Sequence, residues 1–199
     1  MSKKVIGVTG AIGSGKSTVS AILAKHGAFI IDADTLSRQA LLVNEEPYFE
    51  VIKVFGEQIL LDDKTINRSM LRDKIIEFPT LKKKLEEIIH PYVINKTIEL
   101  LNRNISAKFF VIDAPLLFEA KMDKLCDLVF FVDVDPQIRY LRLRNRNTMS
   151  LNQAKVLEGS ILPNDVKKEM SHYIIENNGT LAQLHETLFG LLIKLRLLN

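Results

Sequence analysis

The sequence predicts an α/β fold: a five-stranded parallel sheet flanked by helices, carrying a helical insertion and a smaller helical cap. Three observations predict it. Apolar runs at Lys4–Thr9, Ala28–Asp32, Lys108–Asp113 and Leu128–Val134 are continuous rather than alternating, which suits strands covered on both faces. Helical patterns separate these runs, and strands alternating with helices favour a parallel sheet. The first run also leads directly into a glycine-rich loop and a helix.

In chain order, "KVIGVT" (Lys4–Thr9) is the first expected strand, and "STVSAILAKHG" a helix stopped by Gly27. "AFIID" (Ala28–Asp32) is the second strand. From about 37 to 105 the pattern is mostly helical, with turns marked by Phe55–Gly56 and Asp62–Asp63, and reads as an insertion. "KFFVID" and "LVFFVDV" supply strands three and four. Asp135 followed by Pro136 reads as a helix N-cap with proline in the first helical position. About 140–170 is polar, helical and arginine-rich, and reads as the cap. "YIIEN" (Tyr173–Asn177) is a fifth strand before an amphipathic C-terminal helix. The expected organisation is one domain, with core segments at about 1–36, 106–139 and 171–199. No internal repeat, low-complexity tract or long linker interrupts it.

At 199 residues, 47% hydrophobic and 26% charged, the chain has the composition of a soluble globular domain. A net charge of +3 is too small to argue for nucleic acid or a membrane surface, and serves phosphorylated small molecules equally well. The single cysteine, Cys126, excludes an internal disulfide. With no signal-like start and no run long enough to span a bilayer, the expectation is a cytoplasmic protein.

The loop "GAIGSGKST" (Gly10–Thr18) carries the chemistry. Gly10-x-x-x-x-Gly15-Lys16-Ser17 is a complete P-loop between a strand and a helix, the context its mechanism needs. Its glycines let backbone N–H groups curl around phosphate, and the following helix directs its positive end at the same anion. Ala11, Ile12, Gly13, Ser14, Gly15 and Thr18 are the expected cradle, Lys16 the β/γ-phosphate contact and Ser17 a Mg²⁺ ligand. The spacing from Gly13 runs G-x-G-x-x-T with a lysine inside, which excludes a dinucleotide loop. A guanine-specifying N-K-x-D is missing: "NKTI" (Asn95–Ile98) lacks the aspartate and sits in a helical pattern. "DAPL" (Asp113–Leu116) lacks the glycine of a γ-phosphate sensor. A small-molecule kinase is therefore favoured over a nucleotide switch.

An acceptor hydroxyl needs a base. Asp32 and Asp34 end the second strand, where extended geometry would point both to one face. Strand carboxyl ends are where open α/β sheets bind ligands. One of the two could take the proton, or Asp34 could simply cap the next helix. Asp113 could support the metal or close a strand-end turn. In "PQIRYLRLRNRN" a helix places Arg139, Arg142 and Arg146 on one side and Arg144 elsewhere, which suits either a phosphate lid or a solvated face. Lys82–Lys84 reads as solvent-exposed, and His90-Pro91 as a kink site in a long helix.

These residues resemble the dephospho-CoA kinase family over nearly the whole chain. The resemblance takes in "VTGAIGSGKST", "IDADTLSRQ", "FGEQIL", "INRSMLRDKI", "IIHPYV", "APLLFE", "FVDVDPQIRYLRLRNR" and "IIENNGT", in order and at the family's spacing. It implies a P-loop kinase fold and ATP-dependent phosphorylation of the ribose 3′-hydroxyl of dephospho-CoA, with Mg²⁺, as the last step of coenzyme A synthesis. Asp34 would be the base, with Asp34 or Asp113 reaching Mg²⁺ through water, and Arg38 a nearby substrate contact. His90, Pro115, Leu116 and Glu119 would border the acceptor, Arg142 and Arg146 would belong to the lid, and 37–105 would bind the CoA moiety. Adenine would lie near "ENNG" (Glu176–Gly179). The implied partners are ATP and dephospho-CoA, with no nucleic acid or membrane, in a monomer or weak homo-oligomer. Three positions depart from the family pattern. Ala11 replaces a usual second glycine and is tolerated if its φ is negative, Ile161 stands near a usual glutamine, and Ser171-His172 near Ala-Asp. The alternatives are a P-loop kinase of another acceptor, such as a nucleoside monophosphate, and a non-catalytic nucleotide-binding regulator.

Overall fold

A computed structural model describes residues 3–103, 106–145 and 162–198. The chain divides into two compact units, one of Met1–Asp32 with Asn104–Asn199 and one of Ala33–Arg103.

The first unit contains the sheet. Strands β1 (Val5–Gly10), β2 (Ala28–Asp32), β3 (Phe109–Asp113), β4 (Leu128–Asp133) and β5 (Tyr173–Glu176) lie in the order β2-β3-β1-β4-β5. All four neighbouring pairs in this sheet are parallel: Val8 faces Asp113 across β1 and β3, and Thr9 faces Phe131 across β1 and β4. All five expected strands are present, the last ending at Glu176 instead of Asn177. Helix α1 (Lys16–Lys25) stops at His26, one residue before the expected glycine. Ile6 and Val8 point to one face of β1 and join Val19, Ile22, Leu23, Phe130, Leu188 and Leu192 in a dry core under α1 and the C-terminal helix. Burying each such side chain stabilises the fold by about 1.5–3 kcal/mol. Gly7 points to the other face, where the buried Leu117 packs so closely that a Cβ on Gly7 would lie 2.7 Å from its Cδ2. Strand order reverses direction at β1, between β3 and β4, and that reversal puts the ligand crevice at its carboxyl end.

The second unit is helical: α2 (Ala33–Gln39), α3 (Glu46–Phe55), α4 (Arg68–Glu77) and α5 (Pro79–Arg103). The expected turns fall where Gly56 adopts φ 81° after α3 and where Asp63 accepts both the amide and the hydroxyl of Thr65. Asn67 caps α4 by accepting from Ser69 and Met70 amides. Leu36, Tyr48, Val51, Phe55, Leu71, Ile89 and Val93 are its buried interior, and the Tyr48 hydroxyl donates to the Lys64 carbonyl at 2.6 Å. Helix α5 continues through His90-Pro91 without interruption.

Helix α6 (Pro136–Asn145) returns to the first unit, followed by α7 (Asn164–Glu169) and α8 (Leu181–Lys194). Asp135 caps α6 as expected, its Oδ1 accepting the Gln137 amide at 2.8 Å. No helix among the described residues is long and apolar enough to cross a membrane.

Candidate active site

The P-loop joins the carboxyl end of β1 to α1. Gly10, Gly13 and Gly15 all have positive φ, at 149°, 83° and 94°, while Ala11 is not among the positive-φ residues. The methyl of Ala11 is therefore tolerated, as its sequence position required. Gly10 is constrained by closeness as well: a Cβ there would sit 2.5 Å from the Val132 carbonyl oxygen on β4. The Ser14 amide donates to Ala11 O at 3.1 Å, closing the curl. Lys16 Nζ donates to Gly10 O at 3.1 Å and Ala11 O at 3.4 Å, so the ammonium is held against the curl of the P-loop. Ser17 is exposed at the start of α1.

Two neighbours brace this loop. Arg142 on α6 donates to the Ser14 carbonyl at 3.4 Å and to the Asn177 carbonyl at 3.0 Å. The Asn177 side chain, buried just after β5, donates to Ser14 O at 2.8 Å. A cavity of about 370 Å³ opens beside them, lined by Gly15, Thr18, Arg142, Asn177, Gly179, Leu181 and Leu184. It offers apolar walls next to phosphate-binding backbone. Arg139 packs near Gly13 on the same helix, whereas Arg146 and Ile161 lie outside the described residues.

Asp113 ends β3, and its Oδ2 accepts the Ser20 hydroxyl at 2.7 Å. Ser20 follows Ser17 by three residues on α1, so carboxylate and P-loop hydroxyl sit on one helix face. The loop after β3 holds the other expected acceptor contacts of this unit. Pro115 O accepts from the Thr9 hydroxyl at 3.3 Å and from Lys167 Nζ at 3.0 Å. Leu116 is half-buried, its carbonyl accepting the Ala120 amide at 2.9 Å. Glu119 Oε1 pairs with Lys167 Nζ at 2.8 Å and accepts the Leu162 amide at 3.0 Å.

In the helical unit, Asp34 is the second residue of α2, so the extended geometry expected to align it with Asp32 does not apply. Nor does Asp34 stand before the helix as a cap; it lies in the first turn, exposed, with Arg38 one turn further on the same face. Helix α2 packs on α5, which carries His90. A cavity of about 630 Å³ in this unit is lined by Glu45, Glu46, Glu50, Glu87 and Glu99 against one lysine, Lys96. Such a wall repels phosphate. Tyr92 borders it, its phenol pushed up to about 12 first by burial and then by its hydrogen bond to Glu45.

Sequence reasoning missed Asn177 as the brace of the P-loop and Lys167 altogether. The signal for Asn177 was its place directly after a buried strand; Lys167, in "VKKEM", reads as an ordinary solvated charge. At the unusual Ser171-His172, His172 Nδ1 accepts the Val129 amide at 3.1 Å. Cys126 donates to the Met122 carbonyl, and burial with the charges of Asp123 and Asp127 pushes its thiol up to about 12, which keeps it a neutral thiol at neutral pH.

The dephospho-CoA kinase family model matches residues 4–183. The chain belongs to the dephospho-CoA kinase family. It is 34% identical to the dephospho-CoA kinase of Lactobacillus johnsonii over 189 residues, covering 94% of this chain and 96% of that protein. The Staphylococcus saprophyticus dephospho-CoA kinase is 36% identical over 192 residues, covering 96% and 93%. Among solved structures, dephospho-CoA kinase from Campylobacter jejuni superposes with TM-score 0.68 at 25% identity, covering 96% of each chain. Shikimate kinase from Acinetobacter baumannii, at 18% identity and TM-score 0.56 over 96% of this chain and 94% of that one, shares the fold. The expected P-loop kinase architecture is thus the one the family has.

Proposed function

We propose that this chain carries out the reaction that names its family, transferring the γ-phosphoryl group of ATP to the ribose 3′-hydroxyl of dephospho-CoA to give CoA and ADP. One observation carries the reading. A P-loop alone suits many kinases, but the family match from 4 to 183 takes in the whole helical unit Ala33–Arg103 as well as the P-loop.

Within that reading the amides of Gly13–Thr18 and the Lys16 ammonium hold the β- and γ-phosphates, exchanging loop carbonyls for phosphate oxygens. Arg142, already directed at the Ser14 and Asn177 carbonyls, balances charge that spreads over the transferring oxygens. Adenine occupies the cavity between Thr18, Asn177, Gly179 and Leu181. Asp34 accepts the hydroxyl proton, Arg38 and His90 bind the acceptor from the helical unit, and Pro115, Leu116 and Glu119 border it. The segment 37–105 is the acceptor-binding insertion and 140–170 the lid.

The donors suit Mg²⁺. A hydroxyl at Ser17 and a fixed carboxylate at Asp113 are hard oxygens, and no cluster of three or more metal-ligating side chains exists among the described residues. Such a sparse set fits an ion that arrives with nucleotide phosphates. When bound, Mg²⁺ would neutralise phosphate charge. Cytoplasmic ATP and dephospho-CoA are the partners this chemistry requires.

The test is ADP release with ATP, Mg²⁺ and a panel of acceptors: dephospho-CoA, nucleoside monophosphates and shikimate. Release with dephospho-CoA and formation of CoA are expected. Turnover of another acceptor alone would make the chain a different kinase, and nucleotide binding without turnover would make it a regulator.

A further inference from the structure

Lys167 is 1% exposed, whereas every other lysine among the described residues is partly or fully exposed. A buried ammonium is costly unless it is paired and hydrogen-bonded. Both conditions are met by the loop after β3: Glu119 Oε1 at 2.8 Å and Pro115 O at 3.0 Å. The connections continue beyond it. Pro115 O also accepts the Thr9 hydroxyl, from the strand that enters the P-loop, and Glu119 Oε1 also accepts the Leu162 amide, just ahead of α7. One side chain therefore ties β1, the loop 114–119 and α7 together, with Leu117 between them packed on Gly7. Glu119 Oε2 is buried and has no hydrogen-bond partner among the described residues. One carboxylate oxygen is committed to structure while the other is left as an acceptor.

We propose that Lys167 is a positioning residue for the acceptor side of the site: it fixes the Pro115 carbonyl and aims Glu119, without itself touching either substrate. The kinetic half of this proposal rests on the function proposed above; the structural half does not. Lysine serves here because its single compact charge, with three donors, satisfies a carbonyl and a carboxylate at once.

The experiment compares Lys167→Met with wild type in two readouts. In steady-state kinetics the KM for dephospho-CoA rises by about tenfold or more, while the KM for ATP stays within about threefold and kcat falls less than the acceptor KM rises. In hydrogen exchange, the peptide spanning 114–122, which contains the bonded amides of Ala120 and Met122, exchanges at least about tenfold faster, and the β4 peptide is unchanged. Leaving Glu119 buried and unpaired could prevent folding, so Lys167→Met/Glu119→Gln is made in parallel. It removes both charges, keeps the fold, and still leaves Pro115 without its ammonium, so 114–122 again exchanges faster. Lys167→Arg, which keeps the charge, recovers part of the acceptor KM. An acceptor KM within twofold of wild type in folded Lys167→Met overturns the proposal. So does wild-type exchange at 114–122 in the double variant. If wild type itself releases no ADP with dephospho-CoA, the proposed function fails, and the exchange result decides the positioning role by itself.

Discussion

Lys16 and Asp34 are candidates for the same transfer, yet the chain holds them in opposite ways. Lys16 belongs to the sheet unit, where the P-loop is built from backbone, its ammonium bonded to Gly10 and Ala11 carbonyls and its rim braced by Asn177 and Arg142. Asp34 belongs to the helical unit, exposed in the first turn of a seven-residue helix. The phosphate side is organised by hydrogen bonds that exist before any substrate arrives. Asp34, the proposed base, is held by no such ring, and its unit also carries an acidic-lined cavity unsuited to phosphate. Preorganisation of this kind makes the first site tolerant of surface change and intolerant of any change in its ring.

Four substitutions sharpen or break that contrast. Lys16→Ala should have the largest effect, removing activity by roughly 10³-fold or more, because the ring loses its only internal charge. The melting transition should persist; its disappearance would mean Lys16 holds the fold rather than the phosphate. Next comes Asp34→Asn, nearly isosteric and harmless to the helix. We expect kcat to fall on the order of 10²-fold, about 2.7 kcal/mol of barrier, with ATP affinity intact. Turnover within a few-fold of wild type would move the base to Asp32 or Asp113. Arg142→Ala should lower kcat by about 10-fold or more and weaken dephospho-CoA binding less, as measured by single-turnover and binding assays. An unchanged kcat would leave Arg142 a brace for the Ser14 and Asn177 carbonyls. Lys82→Ala should do least: its pair with Glu86 at 3.5 Å is a partly exposed helix-surface bridge, worth under ~0.5 kcal/mol by thermal melting. A larger loss would show that the surface of the helical unit is less tolerant than the contrast supposes.

Much of this was legible without coordinates. Continuous apolar runs located β1, β3 and β4, because a strand covered on both faces has no polar positions to spare. The P-loop was legible because glycine spacing records backbone conformation directly. Asp135-Pro136 gave the start of α6 for the same local reason. What escaped depended on partners remote in sequence. Asn177 and Ser14 meet across 163 positions, and Lys167 and Pro115 across 52, so neither leaves a local pattern. Asp34 escaped differently: the chain turns helical at Ala33, immediately after β2, earlier than the apolar run announces.

The strand order carries a consequence for how the protein is made. Strands β1 and β2, synthesised first, are not neighbours; β3 lies between them and is translated only after the whole helical unit. A ribosome that has released residues 1–103 has released the complete phosphate-binding motif, yet the strand that flanks it on one side and the strand that flanks it on the other are both still unmade. The nucleotide loop is therefore among the first segments translated and among the last assembled. Nascent chains stopped before Phe109 should fail to retain ATP, and chains extended past β4 should begin to.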